Sequence, residues 1–146
     1  MAYVTSNVVI DTMARLVGQG IDIVEIAEFE TLIACSGDQF VNRCFTDHER
    51  GYAGDGPNRI ARLAARFAGK EAVLKALGTG WTGGISWKGV EIVRQPSGAP
   101  AVKLSGAAAR IAADKGITGF HLSLSHTKNL ASASAIAVSN DDAADA

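Results

Sequence analysis

The chain has 146 residues, of which 47% are hydrophobic and 20% are charged, and its 14 Lys and Arg residues nearly balance its 15 Asp and Glu residues. This length fits one domain that buries its own core without disulfides or a structural metal. A net charge of −1 argues against a general nucleic-acid coat, which needs a basic surplus. The many aliphatic residues exclude a disordered chain.

Signals for secretion, membrane insertion and metal binding by cysteine are absent from the sequence. The first 15 residues lack a basic segment followed by an apolar one, and no apolar run approaches the roughly 20 residues of a membrane span. Cys35 and Cys44 have no zinc-ligand spacing, so we interpret them as two reduced thiols. We therefore expect a soluble, cytoplasmic protein that binds neither nucleic acid nor membranes.

Hydrophobic periodicity and turn residues predict helices that interrupt strands at irregular intervals. In chain order the predicted elements are a strand over 16–24, a helix over 26–36, short helical segments after 38 and 46, a long helix over 59–77, strands over 85–87, 90–93 and 101–104, a helix over 105–115, and strands over 120–125 and 130–138. This order argues for the α+β class with a mainly antiparallel sheet. Residues 1–14 are predicted as an N-terminal extension and 141–146 as an acidic tail.

Several short motifs mark close contacts and helix ends. Gly18 and Gly20 in the first strand indicate a backbone that another group approaches closely. Asp38 is expected to cap a short helical segment, and Thr46 and Glu49 have the spacing of a capping box.

Two carboxylates interrupt otherwise apolar patterns. Glu71 projects from the apolar stripe of the long helix, and Asp22 lies inside an apolar strand. A carboxylate on an apolar surface costs several kcal/mol unless a positive group compensates it. One interpretation gives the two acids separate structural roles: Glu71 pairs with Lys75, one turn further along the helix, and Asp22 binds backbone amides near a glycine turn. The other is a divalent cation, such as Mg²⁺, shared by Asp22 and Glu71.

The long helix also carries five basic residues, Arg59, Arg62, Arg66, Lys70 and Lys75. The first three recur at a spacing of three to four residues and therefore lie on one side. Two interpretations stay open, a solvated helix face and a phosphate-binding face, since guanidinium groups suit phosphate oxygens.

Glycines follow the long helix, and polar residues line the predicted strand over 120–125. The loop over 78–84 comes after a helix, so it is not a phosphate-binding loop; we interpret it as a helix cap and a point of close approach to a ligand or a neighbouring chain. Alternation places His121, Ser123 and Ser125 on one strand face. Neither serine follows a strand-to-helix elbow, which disfavours a serine hydrolase and favours a polar face that lines a ligand groove.

Together these residues resemble the holo-acyl-carrier-protein synthase family of small 4′-phosphopantetheinyl transferases. The resemblance covers about residues 16–139 and rests on four motifs in family order: GQGIDIVEI (18–26), RFAGKEAVLKALGTG (66–80), GAP (98–100) and HLSLSHT (121–127). It implies the 4′-phosphopantetheinyl transferase fold over residues 15–140, a mainly antiparallel sheet wrapped by a long helix in a single-domain protomer.

The resemblance also implies a reaction. The family moves the 4′-phosphopantetheine group of coenzyme A to a serine hydroxyl of an apo acyl carrier protein or related carrier domain and releases 3′,5′-ADP. Asp22 and Glu71 match the family's metal ligands, so Mg²⁺ would bridge them to the coenzyme A pyrophosphate. Lys75 matches a lysine expected near that pyrophosphate, and Glu71 is our candidate base, directly or through a metal-bound water.

Family structures are trimers with shared active sites, so a homotrimer is expected. The residues implied to bind coenzyme A are Lys75, Gly78, Thr79, Gly80, Ser125, His126 and Arg59, with Arg62 as the alternative to Arg59 for the 3′-phosphate. Two other hypotheses stay open: a coenzyme A-binding regulatory module that has lost turnover, and a purely structural trimer.

One stretch departs from the family pattern. Glu28 and Cys35 occupy positions where the resemblance leads us to expect Arg or Lys residues that grip an acidic carrier protein. Arg43 and Arg50 are candidates for a displaced basic patch. We expect a preference for a carrier less acidic than the usual fatty-acid one.

Overall fold

The computed structural model describes residues 14–140, and its elements follow the predicted order closely. They are β1 (Arg15–Glu25), α1 (Ile26–Ser36), α2 (Asp38–Cys44), α3 (Asp47–Ala53), α4 (Arg59–Leu77), a 3₁₀ turn (Trp87–Gly89), β2 (Val90–Arg94), β3 (Pro100–Leu104), α5 (Gly106–Asp114), β4 (Gly119–His126) and β5 (Leu130–Ser139). The predicted N-terminal extension, apart from Ala14, and the predicted acidic tail lie outside the described residues.

The strands form two antiparallel sheets. One sheet has three strands in the order β1-β5-β4, and the other is the β2–β3 hairpin. This arrangement confirms the predicted α+β class. Within residues 14–140, no helix combines the length and the apolar character needed to cross a bilayer.

Two local predictions are wrong. The expected strand over 85–87 is instead a loop that leads into the 3₁₀ turn, because the Ser86 hydroxyl accepts a hydrogen bond from the Gly89 N–H and closes the backbone on itself. Asp38 is the first residue of α2 rather than its cap; Gly37 occupies the cap position with a φ of 61°. The capping box at Thr46 and Glu49 is confirmed by both of its hydrogen bonds.

Helix α4 packs across the three-stranded sheet on a surface of small residues. Alternate residues of β5 are buried alanines, which leave room for the helix. On β1 the contact is closer still: a Cβ on Gly18 would lie 2.0 Å from the Ala76 carbonyl oxygen, and a Cβ on Gly20 would lie 2.0 Å from that of Ala72. The group predicted to approach these glycines is therefore the backbone of α4.

Of the two interpretations of the basic side of α4, a fully solvated face does not hold for Arg66, and Lys70 of the same helix is also buried. The Arg66 and Lys70 side chains are buried, with exposed fractions of 6% and 0%. Lys70 Nζ lies 2.8 Å from Glu49 Oε1 and donates to the carbonyl oxygens of Trp87 and Val90. Burial lowers the pKa of Lys70, and the Glu49 carboxylate opposes that shift.

Glu49 completes this buried network. Its Oε1 accepts from the Thr46 N–H in the capping box, and its Oε2 accepts from the Ile92 N–H at 3.0 Å. One ion pair thus joins α3, α4, β2 and the 3₁₀ turn, and both charged groups have hydrogen-bonding partners, which a buried pair requires.

We expect Gly20→Ala and Gly51→Ala to change stability in opposite directions. An added Cβ at Gly20 meets backbone atoms of α4 that cannot rotate away, so this variant loses about 3 kcal/mol in the free energy of unfolding. At Gly51, in α3, a Cβ meets nothing within 4 Å, so the same change gains up to about 1 kcal/mol through helix propensity. Chemical denaturation measures both, and equal effects would contradict the close packing of β1 on α4.

We expect Lys70→Met to destabilise the fold by about 3–5 kcal/mol, because it leaves the Glu49 carboxylate buried without its cation. Adding Glu49→Gln to this variant removes the uncompensated charge and restores part of the loss. Denaturant titration of the single and double variants checks this order, and a double variant less stable than Lys70→Met alone would refute it.

Candidate active site

Three of the predicted site residues meet where β1 crosses α4. Asp22 follows Gly20 on the β1 face that lies against α4, and Lys75 donates to Asp22 Oδ1 at 3.1 Å and to the Ile21 carbonyl oxygen at 2.8 Å. The Asp22 side chain is 17% exposed and that of Lys75 is 52% exposed. Lys75 therefore pairs with Asp22 across two elements rather than with Glu71 along the helix.

Glu71 is held from the other side by the loop after α4. Trp81 Nε1 donates to Glu71 Oε1 at 3.3 Å, and the Trp81 ring packs on that of Trp87 with a centroid distance of 3.6 Å. Burial raises the pKa of Glu71 above its usual value, the Trp81 hydrogen bond lowers it, and the Asp22 charge raises it further. The two carboxylates are thus close enough to repel each other.

Asp22 and Glu71 line one pocket of about 370 Å³ between β1, α1 and α4. Its walls combine carboxylates with apolar side chains. The lining residues are Asp22, Ile23, Val24, Glu25, Glu28, Phe29, Leu32, Phe67 and Glu71. We call this the acidic pocket. Among the described residues, no group of three or more His, Cys, Asp or Glu side chains is arranged to hold a metal ion, so the acidic pocket offers at most a two-carboxylate site.

A second pocket, of about 420 Å³, has the opposite charge. We call it the basic pocket; its lining includes Arg62, Arg66, Arg94, Tyr52 and His126. The Arg66 guanidinium carbon lies 3.8 Å from the centroid of the Tyr52 ring, and Arg94 donates to the Tyr52 hydroxyl at 3.1 Å. Burial alone would raise the pKa of Tyr52, but the charges and hydrogen bonds of Arg66 and Arg94 outweigh it and lower the pKa.

The remaining predicted residues fall at opposite ends of α4. Gly78 caps the helix in the left-handed conformation with a φ of 77°, and Thr79 and Gly80 continue into the loop. Arg59 begins the helix, so at about 1.5 Å per residue it lies about 28 Å from Gly78 along the axis. Arg59 is not among the residues that line the basic pocket, whereas Arg62, the alternative, is.

The end of β4 lies on the basic side of the molecule. His126 lines the basic pocket, and Ser125 is exposed next to it on the strand. His121 and Ser123 are exposed on the same strand, as alternation predicted.

Sequence reasoning missed three contributors to these pockets. Trp81 was part of the glycine-rich loop, and its position beside Glu71 depends on how that loop folds back. Tyr52 belongs to α3 and Arg94 to β2, so the packing of these elements on α4 is what places the two residues beside Arg66. Of the three, only Trp81 had a visible signal in the sequence, since it is a large aromatic residue within a glycine-rich loop.

Comparisons with known proteins agree on the family. Residues 18–132 match the model of the 4′-phosphopantetheinyl transferase superfamily. The holo-[acyl-carrier-protein] synthase of Koribacter versatilis is 44% identical over 121 residues, which are 83% of this chain and 97% of that protein. The fold and these matches thus define a phosphopantetheinyl transferase, an enzyme. The chain belongs to the holo-[acyl-carrier-protein] synthase family.

Solved structures give the same result. The crystal structure of the synthase from Neisseria meningitidis is 30% identical with a TM-score of 0.78, covering 84% of this chain and 98% of that one. The Helicobacter pylori synthase, crystallised in complex with coenzyme A, is 29% identical with a TM-score of 0.72, covering 82% of this chain and 98% of that one.

We expect Glu71→Gln to stabilise the metal-free protein. Because the pKa of folded Glu71 is raised, the wild-type protein loses stability as the pH rises from the ordinary glutamate pKa through the folded one. Glutamine cannot ionise and keeps an acceptor for Trp81, so the melting temperature near neutral pH rises by about 3 °C. This gain disappears below about pH 4, where the wild-type carboxyl is protonated in both states.

Thermal unfolding at the two pH values measures this difference, with Glu30→Gln, at an exposed glutamate of α1, as the matched control. A melting temperature of Glu71→Gln at or below that of the wild type near neutral pH would contradict it.

Proposed function

We propose that the chain transfers the 4′-phosphopantetheine group of coenzyme A to a serine hydroxyl of an apo acyl carrier protein, or a related carrier domain, and releases 3′,5′-ADP. The observation that carries this proposal is that Asp22 and Glu71 line the acidic pocket together, while Lys75 donates to Asp22 at 3.1 Å. Two carboxylates and an ammonium group are the charges needed to hold a cation and a pyrophosphate together.

The donor set of the acidic pocket fits Mg²⁺. Two carboxylates supply hard oxygen ligands, and Mg²⁺ usually takes one or two of these and completes its shell with water and substrate phosphate. Burial is the main cause of the raised pKa of Glu71 and the Asp22 charge adds to it; a cation between the two carboxylates would offset both effects. When bound, Mg²⁺ would neutralise charge on the pyrophosphate and help to orient it.

Each of the three residues has its own part in the proposed transfer. The serine oxygen forms a bond to the phosphorus that carries pantetheine, the bridging P–O bond of the pyrophosphate breaks, and its electron pair leaves with 3′,5′-ADP. Glu71, which lines the acidic pocket beside Asp22, is the base that takes the serine proton. Lys75 has a half-exposed side chain, and its ammonium group stabilises the charge that develops on the leaving group.

The basic pocket suits the nucleotide end of coenzyme A. Three guanidinium groups line it, and each can donate two parallel N–H hydrogen bonds to the oxygens of one phosphate. We assign the 3′-phosphate to this pocket, with Arg62 and Arg66 rather than Arg59 as its ligands. His126, from the HLSLSHT motif, lines the same pocket and is a further candidate ligand of the nucleotide.

A homotrimer with shared sites is supported by the exposed side of β1. Leu16, Ile21 and Ile23 are 61%, 61% and 64% exposed on a strand that lies at the edge of its sheet. Such an apolar strip on an edge strand is typical of an interface. A neighbouring copy there would let residues from the two ends of α4 contribute to one coenzyme A molecule.

The test is to incubate the protein with coenzyme A, Mg²⁺ and an apo carrier and to weigh the carrier by mass spectrometry. We expect a gain of one phosphopantetheine group, which EDTA abolishes. Binding of coenzyme A without transfer would indicate a regulatory module instead, and no binding would indicate a structural role.

Asp22→Asn should lower kcat/KM for transfer by about 100-fold or more, since it removes one of the two charges proposed to hold the cation. Asp55→Asn, at an exposed loop position, is the matched control and should keep full activity. Full transfer by Asp22→Asn at saturating Mg²⁺ would refute the assignment of Asp22 as a ligand.

A further inference from the structure

We infer that the rim of the acidic pocket selects a carrier whose surface around the acceptor serine is apolar and neutral or basic rather than acidic. This inference rests on the proposed function, because it concerns how the carrier reaches Asp22 and Glu71. It is carried by the charges and apolar groups that line the entrance of that pocket.

The first observation is the sign of the charge at the rim. Glu25, at the junction of β1 and α1, and Glu28, in the first turn of α1, line the same pocket as Asp22 and Glu71. No Lys or Arg is among the residues that line it, and α1 carries Glu28 and Glu30 without a basic residue. Four carboxylates therefore surround one opening.

The second observation is that Lys75, the cation that contacts Asp22, is not among the residues that line the pocket. Lys75 is committed to Asp22 through a 3.1 Å contact. A divalent cation between Asp22 and Glu71 would offset those two groups only, and the coenzyme A pyrophosphate adds negative charge. Glu25 and Glu28 thus remain uncompensated and repel an acidic surface that approaches.

The two arginines nearest in sequence do not change this balance. Arg50 pairs with Asp47 and donates to Asn42, so its charge is already partly offset by a neighbour. Neither Arg43 nor Arg50 lines the acidic pocket. A displaced basic patch at these positions does not neutralise its rim.

The third observation is the apolar part of the same entrance. Leu32 of α1 is 41% exposed and lines the pocket, with the Phe29 ring buried beside it. Apolar groups beside a catalytic opening supply the burial that a short-lived complex needs, while the surrounding charges select the partner. The carrier that fits brings an apolar side chain to Leu32 and no carboxylates to Glu28.

The experiment compares two forms of one apo carrier that differ only in the charge of the residues around the acceptor serine, acidic in one and amide or lysine in the other. We expect kcat/KM at low salt to be about tenfold higher for the second form, and the ratio to shrink as salt screens the rim. Glu28→Arg should reverse the preference, whereas Glu30→Arg, which makes the same charge change in a different groove, should keep it.

The ratio between the two carriers is the readout, so any general effect of a variant on catalysis cancels. A wild-type ratio near one, a preference for the acidic form, or an unchanged ratio in Glu28→Arg would overturn this inference while transfer itself continued. Absence of transfer to both forms, with coenzyme A and Mg²⁺ present, would instead refute the proposed function.

Discussion

The close approach of β1 to α4 is the constraint on which the site depends. Gly18, Gly20 and Asp22 alternate along one face of the strand, and at the first two positions the helix backbone occupies the space of a side chain. Asp22, the next residue on that face, therefore lies against the last turns of α4, where Lys75 donates to it. A strand that lay farther from the helix would leave Asp22 too distant to act with Glu71.

The distance between β1 and α4 is one requirement of the site, and the rotation of α4 about its own axis is the other. The buried pair of Glu49 and Lys70 fixes that rotation. Lys70 is anchored to the carbonyl oxygens of Trp87 and Val90, so the next residue, Glu71, must point about 100° away, toward β1 and α1. The Trp87 ring packs on that of Trp81, which donates to Glu71. The groups that satisfy a buried charge thus also orient the carboxylate proposed as base.

The sequence predicted what depends on local pattern. The bounds of α4, the capping box at Thr46 and the close approach at Gly18 and Gly20 each follow from residues within a few positions of one another. What it did not predict depends on long-range contacts. Lys70 looked like a surface residue because its partner, Glu49, is 21 positions earlier, and the strand expected over 85–87 failed because a serine hydroxyl satisfies the local backbone instead.

The near-neutral total charge of the chain hides a separation of charge between its two pockets. Guanidinium groups line the basic pocket and carboxylates line the acidic one, so each of the two proposed substrates meets a field of opposite sign. Under the proposed function, the phosphorylated nucleotide of coenzyme A would be attracted to the basic pocket and repelled by Glu25 and Glu28 of the acidic one. The same two glutamates would then act on both proposed substrates, since they would repel an acidic carrier and leave a cation held by Asp22 and Glu71 as the positive charge that draws the pyrophosphate.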